Sequence, residues 1–251
     1  MTFDALTMSA VRHELEATVL GGQVQRVVQT GPLGLGFELY ASRRRWSLVC
    51  SAEPEAARVA LARSRPVRET DTPSPLLLLL RKYVRDGRIV RIEQPSYERM
   101  LRLQVAKREA EDVHGEVALI IETMGRRSNV ILVDRDDVVL EALRRVGPTR
   151  NPRRPLLPRR PYLPPPAQAR LDPRDSSSYA QLAGEAGADT SLPDLLARRL
   201  AGFSPLAARE VAFRASGRVD LPSTKRPGRI LGFGKRLFRG RGDTAPAAAA
   251  G

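Results

Sequence analysis

Catalysis by side chains usually requires histidine, cysteine or paired carboxylates, and this sequence offers few of them. Two histidines (His13, His114) and one cysteine (Cys50) occur in 251 residues. None belongs to a motif that pairs a nucleophile with a base, and no glycine-rich loop has the spacing of a nucleotide-binding motif. The sequence therefore predicts a protein that is not an enzyme and has no catalytic residues and no cofactor.

A cluster of carboxylates is the remaining candidate for metal chemistry. Asp134, Asp136 and Asp137 lie together before a short apolar run. A hairpin turn accounts for three aspartates without any ligand, since aspartate is favoured in tight turns. The sequence therefore predicts a turn at this position and no bound metal.

The charge of the chain favours a binding function. Its formal net charge is +14, and arginine and lysine neutralise phosphate groups largely independently of nucleotide sequence. However, 11 of these charges lie in residues 147–175 and 218–251, which lack a sustained apolar period. Net charge alone therefore does not locate a binding surface.

One candidate RNA-binding segment connects two apolar runs. Glycine can expose backbone amides, arginine supplies forked donors, and serine and asparagine add short neutral donors. A solvated hairpin turn is the alternative, and local chemistry alone favours it. The predicted RNA-binding residues of this segment are Gly125, Arg126, Arg127, Ser128 and Asn129.

Two further pairs of residues, each with at least one basic side chain, are candidates for RNA contact. Glu98 and Arg99 follow the turn at Tyr97, where the acid could orient the guanidinium and the tyrosine could stack on a base; local charge balance is the alternative. Arg81 and Lys82 should emerge at the C-terminal end of a leucine-rich helix.

The elements that would position these residues follow from the apolar periodicity. A helix capped by Asp4 and a helix beginning at Ser74 and Pro75 are predicted. Together with about eight strands they indicate an α+β domain over residues 1–146, with a curled sheet or β-sandwich and flanking helices. The predicted strands are 24–29, 36–41, 46–51, 88–94, 99–107, 116–124, 129–134 and 137–143.

The remainder of the chain has a different character. Residues 147–175 contain nine of the 20 prolines and are predicted to form an extended linker. Three short helices are predicted at 176–187, 191–202 and 204–217, and a basic disordered tail at 218–251. The chain start lacks the pattern of a signal peptide, and the leucine run at 76–80 is too short to cross a bilayer. We therefore expect a cytoplasmic protein without a membrane partner.

In combination, these segments resemble the N-terminal part of the NFACT family, which includes RqcH-like and NEMF-like quality-control factors and proteins once named fibronectin-binding proteins. The most specific match is Met124-Gly125-Arg126-Arg127-Ser128-Asn129. The other matches run in family order over residues 1–217: Phe3-Asp4 with His13-Glu14-Leu15, Gly21-Gly22-Gln23-Val24, Leu79-Leu80-Arg81-Lys82, Ile92-Glu93-Gln94, Leu163-Pro164-Pro165-Pro166 and Gly202-Phe203-Ser204-Pro205.

The resemblance implies a fold like the N-terminal domain of formamidopyrimidine-DNA glycosylases, followed by a helix-hairpin-helix domain over residues 176–217. It implies a role in ribosome-associated quality control, with tRNA (alanyl-tRNA in bacteria) and the stalled large ribosomal subunit with its peptidyl-tRNA as partners. Such a factor supports C-terminal alanine tailing, whereas peptide transfer belongs to the ribosome. An Asp-Arg pair of bacterial members corresponds to Glu98 and Arg99 here, and the family's coiled coil and C-terminal domain are absent from this sequence.

Other functions remain as alternatives. A glycosylase would use an N-terminal proline and usually a four-cysteine zinc finger, whereas this chain begins Met1-Thr2-Phe3 and has one cysteine. The runner-up is a reduced nucleic-acid-binding module, or a DNA-binding protein with the glycosylase fold, without a ribosomal role. An extracellular adhesin is disfavoured because no signal peptide or disulfide is predicted.

Overall fold

Nine strands and two helices make up the first unit of the computed structural model, which describes residues 3–69, 72–108, 114–166, 169–185 and 191–218. The chain divides into two units, Met1–Pro166 and Ala167–Gly251. In chain order, unit 1 contains α1 (Ala5–Val19), β1 (Gln23–Gln29), β2 (Gly34–Ala41), β3 (Arg44–Ser51), β4 (Arg58–Ala62), α2 (Pro75–Tyr83), β5 (Arg88–Glu93), β6 (Met100–Arg108), β7 (His114–Glu122), β8 (Asn129–Asp134) and β9 (Val139–Ala142).

All strands belong to one antiparallel sheet with the order β4-β3-β2-β1-β5-β6-β7-β8-β9. Its two halves meet at β1 and β5, where a single residue pair, Gln23 and Arg88, lies in register. The sheet curls, because β3 near one edge contacts β8 near the other. One core of buried apolar residues therefore contains side chains from both halves and from both helices.

The sequence periods explain why the two helices lie in this core. The Asp4 carboxylate accepts a hydrogen bond from the Thr7 amide at 2.9 Å and caps α1. Met8 and Leu15 of α1 are fully buried. Ser74 caps α2 in the same way, with Pro75 in its first turn. Leu76, Leu77 and Leu80 of α2 pack inside the curled sheet.

The predicted α+β architecture with flanking helices is confirmed. The eight predicted strands are all present, and the structure adds a ninth, β4, at one edge of the sheet. β4 was not predicted because it has only five residues and follows the helix-favouring stretch Glu55-Ala56-Ala57. Val59 and Leu61 of β4 nevertheless alternate toward the core.

The structure moves the predicted boundary between the first domain and the linker. Residues 147–166 belong to unit 1, where Val146 exchanges backbone hydrogen bonds with Leu156. Arg154 donates to both carboxylate oxygens of Glu122, and the Tyr162 hydroxyl donates to the same carboxylate at 2.7 Å. Nine prolines predicted an extended segment, but these buried polar contacts attach its first part to the sheet.

Unit 2 contains the three predicted short helices, α3 (Ser176–Gly184), α4 (Leu192–Arg199) and α5 (Pro205–Ser216). Gly202, at φ +77°, turns the chain between α4 and α5. The turn is fixed by Phe203, which is 3% exposed, and by Ser204, whose hydroxyl accepts from the Ala207 amide. Except for Arg218, the predicted basic tail lies outside the described residues.

Candidate nucleic-acid interface

The candidate RNA-binding segment forms the connection between β7 and β8. Gly125 has φ +58°, a conformation that suits glycine, and opens a single 3₁₀ turn over Gly125–Arg127. The Ser128 amide donates to the Gly125 carbonyl at 2.9 Å and ends this turn. The predicted hairpin connection is therefore a compact turn with a defined backbone.

Ser128 and Asn129 fix the turn from inside the protein. They are 1% and 2% exposed. The Ser128 hydroxyl accepts from the Met124 amide at 2.8 Å. The Asn129 carboxamide accepts from the amides of Val130 and Arg144 and donates to the Arg144 carbonyl at 2.8 Å. These buried side chains position the turn, and direct RNA contact by Ser128 and Asn129 stays a prediction.

Arg126 and Arg127 point away from this buried network. Both residues are exposed, and their guanidinium groups contact no carboxylate among the described residues. A third guanidinium lies beside them, because Arg144 donates to the Arg126 carbonyl at 3.0 Å. The turn therefore presents unneutralised positive charge from a fixed backbone.

Arg99 lies at the same end of the sheet. Its carbonyl accepts from the Thr123 amide at 2.9 Å, so the β5–β6 connection runs alongside the start of the Gly125 turn. The preceding turn is held by Gln94, whose side chain donates to the carbonyls of Ala5 and Glu98. Within the described residues the Arg99 guanidinium contacts no carboxylate, so the predicted orientation of Arg99 by Glu98 is not observed.

Arg81 and Lys82 do not belong to this group. They lie in the last turn of α2, and the Lys82 carbonyl accepts from the ammonium of Lys107 near the far end of β6 at 2.9 Å. Arg99 precedes the first residue of β6, and a strand rises about 3.3 Å per residue, so the two groups are roughly 25 Å apart along β6. The sequence-predicted set therefore divides into two surfaces.

The predicted aspartate turn has an internal explanation. One Asp134 carboxylate oxygen accepts from the amides of Asp136 and Val138, and Asp137 has φ +59°. In the described part of the chain, no group of three or more His, Cys, Asp or Glu side chains is arranged to hold a metal ion. Burial raises the pKa of the Cys50 thiol, which keeps it protonated.

Solved structures of similar proteins define the class of fold. The N-terminal part of the fibronectin/fibrinogen-binding protein from Streptococcus suis aligns with TM-score 0.77 and 26% identity, over 93% of this chain and 84% of that chain. The N-terminal domain of fibronectin-binding protein PavA from Streptococcus pneumoniae aligns with TM-score 0.75 and 26% identity, over 84% of this chain and 78% of that chain. Unit 1 and the helices of unit 2 thus have the fold class of these N-terminal regions.

The family follows from the sequence comparison. The profile of the NFACT N-terminal and middle domains matches residues 4–226, so the chain belongs to the NFACT family. It is 29% identical over 225 residues to the Rqc2 homolog RqcH of Bacillus subtilis (strain 168), covering 88% of this chain and 39% of that protein. It is 31% identical over 174 residues to the Rqc2 homolog RqcH of Streptococcus pneumoniae (strain D39), covering 69% and 31% respectively. The chain thus spans well under half the length of these relatives.

The described helices include none that is long and apolar enough to span a bilayer.

Proposed function

We propose that this chain is an RqcH-like factor that binds tRNA and the stalled large ribosomal subunit with its peptidyl-tRNA. In this role it supports alanine tailing of the nascent chain and acts in the cytoplasm by binding, without catalysing a reaction itself. The tRNA that it selects is alanyl-tRNA. In the same proposal, unit 1 has a fold like the N-terminal domain of a DNA glycosylase, and α4 and α5 form a helix-hairpin-helix motif.

One observation carries the proposal, namely the unneutralised arginines of the Gly125 turn. A guanidinium held near a carboxylate has part of its charge satisfied, whereas Arg126 and Arg127 have no such partner in the described chain. Their backbone is fixed by the buried Ser128 and Asn129 side chains. A fixed backbone lowers the conformational entropy that is lost when a phosphate binds.

The neighbourhood of this turn suits an RNA backbone better than a small anion. Arg99 approaches from the adjacent connection, and Arg144 is held against the turn itself. Arginines from three separate segments therefore lie at one end of the sheet. Spaced cations of this kind match successive phosphates, which supply most of the affinity in nucleic-acid binding.

Unit 2 would add a second backbone contact. The Gly202 turn leads directly into α5, where Pro205 has no N–H and the Ala207 amide donates to Ser204, so the Leu206 amide would be the donor to a phosphate oxygen. This proposed contact rests on the family resemblance. A contact to the phosphate backbone positions the RNA and does not distinguish one nucleotide sequence from another.

The test measures tRNA binding by fluorescence anisotropy at several salt concentrations. The variant Arg126→Ala with Arg127→Ala should lower the slope of log affinity against log salt by about two units. The matched control removes the same charge at Arg91 and Arg135, which lie beside Glu93 and Asp136. Equal slopes for wild type, variant and control would refute the assignment of this turn.

A second experiment addresses the cellular partners. Crosslinking the protein to RNA in cells, followed by sequencing, should enrich tRNA and large-subunit rRNA. Recovery of neither would refute the proposed function. Since the solved relatives are named fibronectin-binding proteins, binding of purified fibronectin is measured in parallel; binding to fibronectin without RNA enrichment would favour the adhesin alternative.

A further inference from the structure

A second basic surface lies on the outer face of the sheet, at the end that contains the β2–β3 hairpin. Cross-strand pairing aligns four residues in one row across β5, β1, β2 and β3, in the order Arg88, Gln23, Tyr40 and Arg45. Residues directly opposite each other in antiparallel strands share one face. With Arg43 at the hairpin tip, these five residues form what we call the hairpin strip.

The burial pattern shows that this face points to solvent. The alternate residues Leu39 of β2 and Leu48 of β3 belong to the core, whereas Tyr40 is 42% exposed and Arg45 is exposed. Farther along β2 the same face is covered by Pro66, which abuts Gly36 so closely that a Cβ there would lie 2.2 Å from the proline Cβ. Pro66 therefore covers the outer face at Gly36, whereas the hairpin end beside Tyr40 is open to solvent.

The charge of the strip is unbalanced. Arg43 and Arg45 are exposed and contact no carboxylate within the described chain, and Arg88 donates only to a backbone carbonyl, that of Gly21. Two acids lie near the strip, and both already have cations: Glu38 contacts Arg26 at 3.0 Å and Arg65 at 3.9 Å, and Asp86 contacts Arg85 at 3.5 Å. Three guanidinium groups therefore share a row or hairpin with one exposed aromatic ring, and none of the three contacts a carboxylate among the described residues.

The turn that contains Arg43 has residues that are uncommon in this type of turn. Two-residue hairpin turns with positive φ at both positions favour asparagine and glycine, yet here they are Ser42 (φ +50°) and Arg43 (φ +60°). A side chain at such a position is disfavoured. The hairpin nevertheless places an arginine at its tip, which is consistent with a binding role for that charge.

We propose that the hairpin strip binds an unpaired segment of RNA, with one base stacked on Tyr40 and flanking phosphates held by Arg43, Arg45 and Arg88. An exposed aromatic ring among cations is the arrangement by which proteins hold single-stranded nucleic acid without reading its sequence. The proposal rests on the proposed RNA-binding function, and it adds a surface at the opposite end of β5 from the Gly125 turn. Loops of tRNA and of large-subunit rRNA both supply this chemistry.

The test uses the full chain with two separate ligands, labelled tRNA and purified large ribosomal subunits, to distinguish these sources. Arg43→Ala with Arg45→Ala should reduce the salt slope by about two units. Tyr40→Ala should lower affinity roughly tenfold with an unchanged slope, and Tyr40→Phe should retain binding because the ring remains. If the variants lose affinity for only one of the two ligands, the hairpin strip binds that RNA.

The chain provides a control within the same hairpin. Arg44 lies between Arg43 and Arg45 in sequence, but its guanidinium stacks over Trp46 at 5.2 Å, whose ring packs against the core face. Arg44→Ala should therefore leave RNA affinity within about twofold of wild type, with folding verified by thermal denaturation. A distant control is Arg135→Ala.

The outcomes separate the two proposals. If wild type binds neither RNA, the proposed function and the strip both fail. If wild type binds RNA and loses affinity on substitution of Arg126 and Arg127, but the strip variants match Arg44→Ala, only the strip is refuted. The RNA-binding proposal for the strip would also be overturned if the strip variants lost binding to phosphatidylglycerol vesicles while their RNA affinity stayed unchanged.

Discussion

The substitution Asn129→Ala tests whether a buried side chain positions the candidate interface. The carboxamide makes three hydrogen bonds, to the Val130 amide (3.0 Å), the Arg144 amide (2.9 Å) and the Arg144 carbonyl (2.8 Å). Asn129 is 2% exposed, so water does not readily replace the lost partners. Each unsatisfied buried group costs about 1–3 kcal/mol, although relaxation of the turn recovers part of this. We expect a loss of roughly 2–4 kcal/mol in the free energy of unfolding.

The assay is urea denaturation, with tRNA affinity measured under native conditions. Asn129→Ala removes no charge, yet it should weaken tRNA binding because the backbone that carries Arg126 and Arg127 is no longer fixed. Asn151→Ala is the matched control, since its side chain accepts one hydrogen bond, from the Arg154 amide at 3.2 Å, and should cost less than about 1 kcal/mol. Equal stability losses at the two asparagines, or unchanged tRNA affinity in Asn129→Ala, would refute the reasoning.

Three further predictions concern the attachment of residues 147–166 and the packing of the sheet. Arg154→Ala should destabilise unit 1 by about 3–5 kcal/mol because it leaves the buried Glu122 carboxylate without its cation. In the double variant with Glu122→Gln, the midpoint of urea denaturation should rise part of the way back to the wild-type value. An equally low midpoint in the double variant would contradict the role of the ion pair. The pKa of Tyr162 is raised by burial and then by the Glu122 carboxylate, so the folded protein keeps a proton that the unfolded chain loses above about pH 10. The free energy of unfolding should therefore fall as pH rises from 10 to 11. The fall should be steeper in wild type than in Tyr162→Phe, by up to about 1.4 kcal/mol per pH unit. An equal pH dependence of the two proteins in urea denaturation would exclude this contribution. Gly36→Ala should destabilise by about 1–3 kcal/mol, measured by thermal denaturation, because its Cβ would overlap Pro66; an unchanged melting temperature would show that the Pro66 segment moves freely.

Local features of the chain could be predicted from the sequence. The Asp4 cap, the Ser74-Pro75 helix start and the alternation in β6 each depend on residues within one or two turns, so their patterns predict the observed elements. The exposure of Arg126 and Arg127 was predictable for the same reason, because arginines before an apolar strand rarely point inward.

Features that depend on distant pairing were not predictable. The burial of Asn129 depends on the Arg144 backbone, which only the pairing of β8 with β9 brings to it. The contact of Glu122 with Arg154 crosses 32 residues, and nothing in the proline-rich stretch marks Arg154 as different from its neighbours. A short polar residue beside an apolar run fits a solvated turn and a buried network equally well, so the sequence could not separate these two roles.

The same limitation explains why the hairpin strip has no sequence signature. Arg45 and Arg88 belong to opposite halves of the sheet, and they align only because Gln23 joins β1 to β5 at the point where the sheet curls. Adjacent strands lie about 4.8 Å apart, so the row from Arg88 to Arg45 extends roughly 14 Å. The Gly125 turn lies beyond the other end of β5, about 20 Å away along that six-residue strand. A folded RNA presents loops and backbone on that scale, so one structured RNA can contact both surfaces at once. Substitutions at either surface should then weaken binding of the same RNA, a dependence on two separate sites that the net charge of +14 alone would not impose.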